Sequence, residues 1–137
     1  MCPRQDDTYQ RLIRARAFID DCYDLPLDLE QIASQASFSR YHFLRLFRNT
    51  FDQTPHQYLV QRRVERAKVL LAAGDLSITE ICFTVGFQSL GSFSALFHRS
   101  AGFPPKEYRA RAFRGFYLPR RFVPACFLRM LNIVAST

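Results

Sequence analysis

At 137 residues, with 48% hydrophobic and 23% charged residues, the chain has the size of one ordinary domain and enough apolar side chains to bury a core without staples. No apolar run approaches the roughly 18 residues that a membrane span needs, and the opening MCPRQDDTYQ is polar and acidic, unlike a signal or transit peptide, so a cytoplasmic protein is expected. The net charge of +7 is uneven: residues 1–36 carry four Arg against seven acidic residues, and residues 37–137 carry fifteen Arg and Lys against five.

In chain order, a first helix is predicted over about Asp7 to Cys22, with Leu12, Ala15, Phe18, Ile19 and Cys22 on one face. Asp28 and Gln31 have N-cap and N3 spacing, which predicts a short helix over Leu29 to Ala36, then a turn at Ser37-Phe38. Ser39 caps the next helix, whose apolar stripe is Phe43, Leu46, Phe47 and Phe51. Pro55 opens a long linker helix that Gly74 ends near Ala73; about 18 residues at about 1.5 Å each make a rod of about 27 Å. Ser77 and Glu80 repeat the capping pattern for a helix over Ile78 to Val85, Gly86-Phe87-Gln88 form the turn, and Ser89 caps a further helix.

The second half of this series copies the first. Phe43-x-x-Leu46-Phe47-x7-Pro55-x-x-Tyr58 recurs 50 residues later as Phe93-x-x-Leu96-Phe97-x7-Pro105-x-x-Tyr108 without a gap. Helix, tight turn and helix therefore occur twice, at about 28–51 and 77–100, on either side of a linker at about 55–73. The predicted fold is all-α, with seven helices in two three-helix units joined by a long linker helix. In that arrangement the second helix of each pair is propped to enter a major groove, and the linker rod has the length to serve two successive grooves about 34 Å apart. Seventeen of the nineteen basic residues are Arg, whose planar fork pairs with phosphate and with guanine; this favours a nucleic-acid partner over a merely solvated surface, while charge alone also fits a membrane surface or a nonspecific polyanion.

The stretch from about Leu27 to Arg109 resembles the DNA-binding domain of the AraC/XylS family of bacterial transcription regulators. The resemblance is carried by HFLRLFRNTFDQTPHQYLVQRRVERAKVLL and by ITEICFTVGFQSLGSFSALFHRSAGFPPKEYR, with the Gly86-Phe87 turn, Phe93, Phe97, Gly102, Pro105 and Tyr108-Arg109 as its most diagnostic residues. It implies a sequence-specific DNA-binding transcription regulator occupying residues 1–111, with a basic and aromatic tail over 112–137. Two residues depart from the family pattern: Asp52 stands where a Gly is usual, a left-handed position that Asp tolerates, and Cys82 replaces a small Ala. Fewer than ten residues precede the first predicted helix, so no fused ligand sensor is expected ahead of it.

On the first recognition helix the outward residues are Arg40, Tyr41, Leu44, Arg45 and Arg48, and these are assigned to base readout, with Arg45 first because the resemblance places it where the family commonly reads a base. The aligned residues of the second recognition helix are Leu90, Gly91, Ser94, Ala95 and His98, which offer no long fork. Leu90, Gly91, Ser94 and Ala95 are read as close-approach positions for thymine methyls and duplex shape, so discrimination is expected mainly from the first unit. Phosphate contacts are assigned to Ser39, Thr54, Gln88, Ser89, His98 and Arg99, with Arg40 and Arg48 contributing. Arg62, Arg63, Arg66 and Lys68 are read as a solvated or partner-facing side of the linker, RNA polymerase being one candidate partner.

His42 is assigned a structural or phosphate-bonding role. Cys2, Cys22, Cys82 and Cys126 lie far apart with no C-x-x-C pair, so reduced thiols without a metal or a cofactor are expected. No phosphate-binding Gly loop, G-x-S-x-G, H-E-x-x-H or paired carboxylate set is present, which argues against an enzyme. The alternatives are a protein-interaction module on the same fold and a nonspecific DNA binder. Within the tail, Phe113, Phe116, Tyr117 and Phe122 are expected to fold back on the domain, and Cys126-Phe127-Leu128 with Met130-Leu131 to dock on the core or on a second subunit, giving a monomer or a tail-mediated dimer.

Overall fold

Short polar side chains set the helix starts in the computed structural model, which describes residues 3–114. Seven helices occupy that range with no strand among the described residues: α1 Pro3–Cys22, α2 Leu29–Gln35, α3 Arg40–Phe51, α4 Pro55–Ala73, α5 Ile78–Thr84, α6 Leu90–Ala101 and α7 Pro105–Arg114. Both expected capping boxes form. The Asp28 carboxylate accepts from the Gln31 N–H at 2.8 Å while the Gln31 side chain accepts from the Asp28 N–H, and Ser77 with Glu80 does the same for α5. The first helix begins at Pro3 rather than at Asp7, a proline being well suited to a first helical turn.

The tight turns end α2 and α5 in the same way. The N–H of Phe38 reaches back to the Ala33 carbonyl and that of Ser37 to Ser34; the Phe87 and Gly86 N–H groups bond Cys82 and Phe83 likewise. This double bond pattern needs a left-handed residue at its corner, here Ser37 at φ 56° and Gly86 at φ 102°. Glycine adopts that conformation freely, whereas serine there carries a steric cost of about 1–2 kcal/mol. Asp52 closes α3 at φ 58°, where α6 uses Gly102 at φ 86°, so the substituted cap keeps the left-handed geometry.

The chain divides into two compact units, with the boundary between Arg63 and Val64 inside α4. The first unit buries Leu12, Ala15 and Ile19 of α1 against Ile32, Ala33 and Ala36, Phe43 and Phe47, and Leu59. Phe18, Leu46, Phe51 and Tyr58 pack half-buried against this cluster. In the second unit Val64, Ala67 and Leu71 of α4 are buried, as are Ile81, Cys82, Val85, Phe87, Phe93 and Phe97. The repeat therefore extends further than the aromatic motif. Arg11-Leu12-x-Arg14-Ala15-Arg16 of α1 recurs 52 residues later as Arg63-Val64-x-Arg66-Ala67-Lys68, so α4 supplies the second unit with the stripe that α1 supplies to the first.

Most of the predicted tail, including Phe116, Tyr117, Phe122 and the Cys126-to-Leu131 segment, lies outside the described residues, as do Cys2 and Cys126. Phe113 lies on α7, 52% exposed, with its ring against Gly74; a Cβ built on that glycine would fall 2.7 Å from the ring tip.

Candidate nucleic-acid interface

Helix α3 is built to hide one face and show the other. Ser39, extended at φ −67° and ψ 155°, accepts from the His42 N–H and starts the helix. Phe43 and Phe47 are 0% exposed, which fixes the rotation of the helix about its axis. Arg40, Tyr41, Arg45 and Arg48 then point to solvent, and Tyr41 is 71% exposed. No acidic residue occurs anywhere in RYHFLRLFRNTF, so the positive charge of this face is not offset along the helix. The Arg40 guanidinium donates to the Tyr41 hydroxyl at 3.0 Å and lies over its ring at 5.0 Å, and that bond holds its pKa above the ordinary value. Leu44 is half-buried, at the rim of a cavity of about 280 Å³ lined by Leu27, Ile32, Pro55 and Leu59.

Helix α6 repeats this frame with different chemistry. Phe93 and Phe97 are 0% exposed, their rings tilted at 56° with centres 5.7 Å apart, as those of Phe43 and Phe47 are at 5.5 Å. The outward face consists of Leu90 at 42% exposure, Gly91 facing open space, Ala95, His98 and Arg99, with Ser94 half-buried. Ser89 caps the helix through the Ser92 N–H at 3.2 Å, and Gln88 is exposed beside it. At the start of α4, the Thr54 hydroxyl accepts from the Gln57 N–H and the Thr54 N–H donates to the Gln57 side chain. Those two donors are thereby occupied, and Pro55 has none.

Side chains from α1 and α4 hold the first unit around α3. The Asp20 carboxylate accepts from the Tyr58 hydroxyl and from Arg62 Nε, each at 2.7 Å. Burial first, then the bond to Asp20, raises the Tyr58 pKa well above its ordinary value, so the phenol stays protonated. Arg63 donates to the Tyr23 carbonyl at 2.6 Å and to that of Leu25 at 2.9 Å, and burial lowers its pKa. This corrects the expectation for the linker cations: Arg62 and Arg63 turn inward onto their own unit, and only Arg66 and Lys68 of that group lack this anchoring, both half-exposed. In the second unit Arg109 donates to the Leu76 carbonyl, and the Tyr108 ring stands edge-on to Phe97 at 5.4 Å, its pKa raised by burial.

A helix-turn-helix domain model matches residues 32–111. The regulatory protein SoxS of Escherichia coli K12 is 32% identical over 105 residues, covering 76% of this chain and 98% of SoxS. An AraC-type regulator structure from Chromobacterium violaceum superposes with a TM-score of 0.71 at 28% identity, covering 78% of this chain and 96% of that one. This chain belongs to the AraC/XylS family. A further similar structure is the DNA-binding domain of the global transcriptional factor AdpA, solved in complex with a target DNA; it matches with a TM-score of 0.70 and 34% identity over 75% of this chain and 95% of that domain.

Within this AraC/XylS module the residues singled out by sequence fall into two groups. Arg40, Tyr41, Arg45 and Arg48 share the exposed side of α3, and Leu90, Gly91 and Ala95 the exposed side of α6, whereas Leu44 and Ser94 are partly covered. Ser39, Ser89 and Thr54 are all engaged as caps through their hydroxyls, with His98 and Arg99 exposed in the last turn of α6. His42 is exposed and its ring lies 5.2 Å from that of Phe38. Three features escaped sequence reasoning: the Asp20 hub, the Thr54-Gln57 box and Arg11. The box was readable as T-x-x-Q, and Arg11 from its recurrence as Arg63; nothing local marks Asp20.

Proposed function

We propose that this chain is a transcription regulator that binds duplex DNA sequence-specifically, entering a major groove with α3 and another with α6. The supporting observation is the acid-free face of α3, where Arg40, Tyr41, Arg45 and Arg48 stand exposed behind a fully buried Phe43 and Phe47. In this reading Arg45 pairs with guanine O6 and N7, and Tyr41 and Leu44 pack on neighbouring thymine methyls. The α6 face contributes thymine-methyl packing through Leu90 and Ala95, and close approach at Gly91 and Ser94. Phosphates are held by Gln88, His98 and Arg99, by backbone donors at the starts of α3 and α6, which Ser39 and Ser89 shape, and by the Thr54 hydroxyl at the start of α4, which accepts within its box and keeps its own O–H to donate.

The two units thus contribute unequally, most of the discrimination coming from α3. One chain carries both reading helices, so a monomer is sufficient for an asymmetric site. Arg66 and Lys68 offer a protein partner such as RNA polymerase a half-exposed basic edge, and the cytoplasm is the compartment of such a regulator. The known relatives are regulators, and the proposal includes no enzymatic step.

Selection of bound duplexes from a random pool at about 150 mM salt, where phosphate-only binding is weakened, tests the reading. Enrichment of a defined motif is expected. Salt-sensitive binding without enrichment would make the chain a nonspecific DNA binder, and no duplex binding at all would make it a protein-interaction module.

A further inference from the structure

We infer that Arg11 is the positioning residue that sets the placement of the base-reading helix, working through the turn ahead of α3; the inference rests on α3 being the DNA helix. Arg11 belongs to α1, yet its Nε donates to the Ala36 carbonyl at 2.7 Å and its Nη2 to the Ser37 carbonyl at 2.5 Å. These carbonyls close α2, where a helix leaves its acceptors unpaired and carries partial negative charge, and a planar guanidinium satisfies two of them at once. The same guanidinium lies 3.8 Å from the centre of the Phe38 ring, and that ring packs on His42. His42 in turn supplies the N–H that Ser39 caps. One side chain therefore holds Ala36, Ser37 and Phe38 and, through Phe38, the first turn of α3.

The second unit shows what the contact is for. Its turn has Gly86 at φ 102°, a conformation glycine takes without strain, whereas Ser37 sits at φ 56° with a side chain that resists it. If the turn relaxes, α3 pivots about Ser39 and Arg45 leaves the base edges, while contacts to the phosphate backbone adapt.

The test uses the full chain and two duplexes, the selected motif and a scrambled one. Arg11→Ala is expected to weaken binding to the motif about tenfold and to the scrambled duplex less than about twofold. The slope of log affinity against log salt should stay unchanged, because losing a phosphate contact would lower it by about 0.9. Adding Ser37→Gly, which lets the turn hold its form unaided, should recover at least about threefold. Arg11→Lys keeps the charge and the stem but cannot donate in a fork, and it answers the same question if the alanine variant melts. Equal losses on both duplexes with a lower slope would make Arg11 a phosphate ligand and overturn the inference, as would a loss that Ser37→Gly leaves untouched. A wild type that fails to separate the duplexes would remove the sequence-specific reading itself; a wild type that separates them, with Arg11→Lys doing so equally well, would remove only the role of Arg11.

Discussion

Replacing Phe47 by alanine separates what α3 hides from what it shows. The Phe47 ring is 0% exposed, with ring centres 5.5 Å from Phe43, 4.7 Å from Phe51 and 6.1 Å from Tyr58. Deleting it forfeits about 1.5–3 kcal/mol of burial. Those neighbours come from α3 and α4 and cannot all close inward, so a cavity remains and the loss reaches about 3–5 kcal/mol. A small domain is stable by only about 5–15 kcal/mol, so this is a large share of the whole. In urea, with a slope of about 1.5 kcal/mol per molar, the midpoint followed by far-ultraviolet circular dichroism should fall by about 2–3 M. Tyr41→Ala, on the same helix but 71% exposed, should shift stability by no more than about 0.5 kcal/mol. A fall below about 0.7 M for Phe47→Ala, or a larger fall for Tyr41→Ala, would refute the assigned rotation of α3 and with it the exposed arginine face.

Gly74→Ala should destabilise the domain more than Gly102→Ala in thermal melts. Both glycines have positive φ, 78° and 86°, and each substitution costs about 1 kcal/mol for that alone, but only at Gly74 does the new Cβ also displace the Phe113 ring. Acid should loosen the start of α5. The hydrogen bonds from Ser77 hold the Glu80 carboxyl below its ordinary value of 4.5, so its contribution is fully present above pH 4.5 and is lost as the pH falls through the lower folded value. Lower protection of the Ser77 amide from exchange below pH 4.5, a change abolished in Glu80→Gln, is the expected result. Cys82 is 0% exposed and burial raises its pKa, so a thiol reagent should modify Cys22, which is half-buried, while leaving Cys82 untouched until urea unfolds the chain.

The helix pattern was legible because its signals are local. Cap residues lie within three positions of the N–H groups they bond, and the Phe-x-x-Leu-Phe stripe repeats its own spacing. The outward arginines of α3 followed from that stripe by helical periodicity alone. What brings α1 against the rest could not be read in this way. Arg11 bonds a carbonyl 25 residues away and Tyr58 reaches a carboxylate 38 residues away, and no spacing rule joins such pairs. Arg62 and Arg63 were misassigned for the same reason, since an arginine on an amphipathic helix reads as solvated until the acceptors facing it are known. Leu44 likewise lines a cavity together with Leu27, Ile32 and Leu59, which come from the loop before α2, from α2 and from α4.

The central claim is that α3 reads bases through Arg45, and it is tested most directly by changing the selected duplex one base pair at a time and comparing wild type with Arg45→Ala. Wild type should lose about 1–3 kcal/mol at one guanine-bearing position, and Arg45→Ala should bind all four base pairs there about equally while keeping its preferences elsewhere. Ser94→Val should leave that position unaffected. A uniform loss across every duplex, with a salt slope lower by about one, would make Arg45 a phosphate contact and contradict the account.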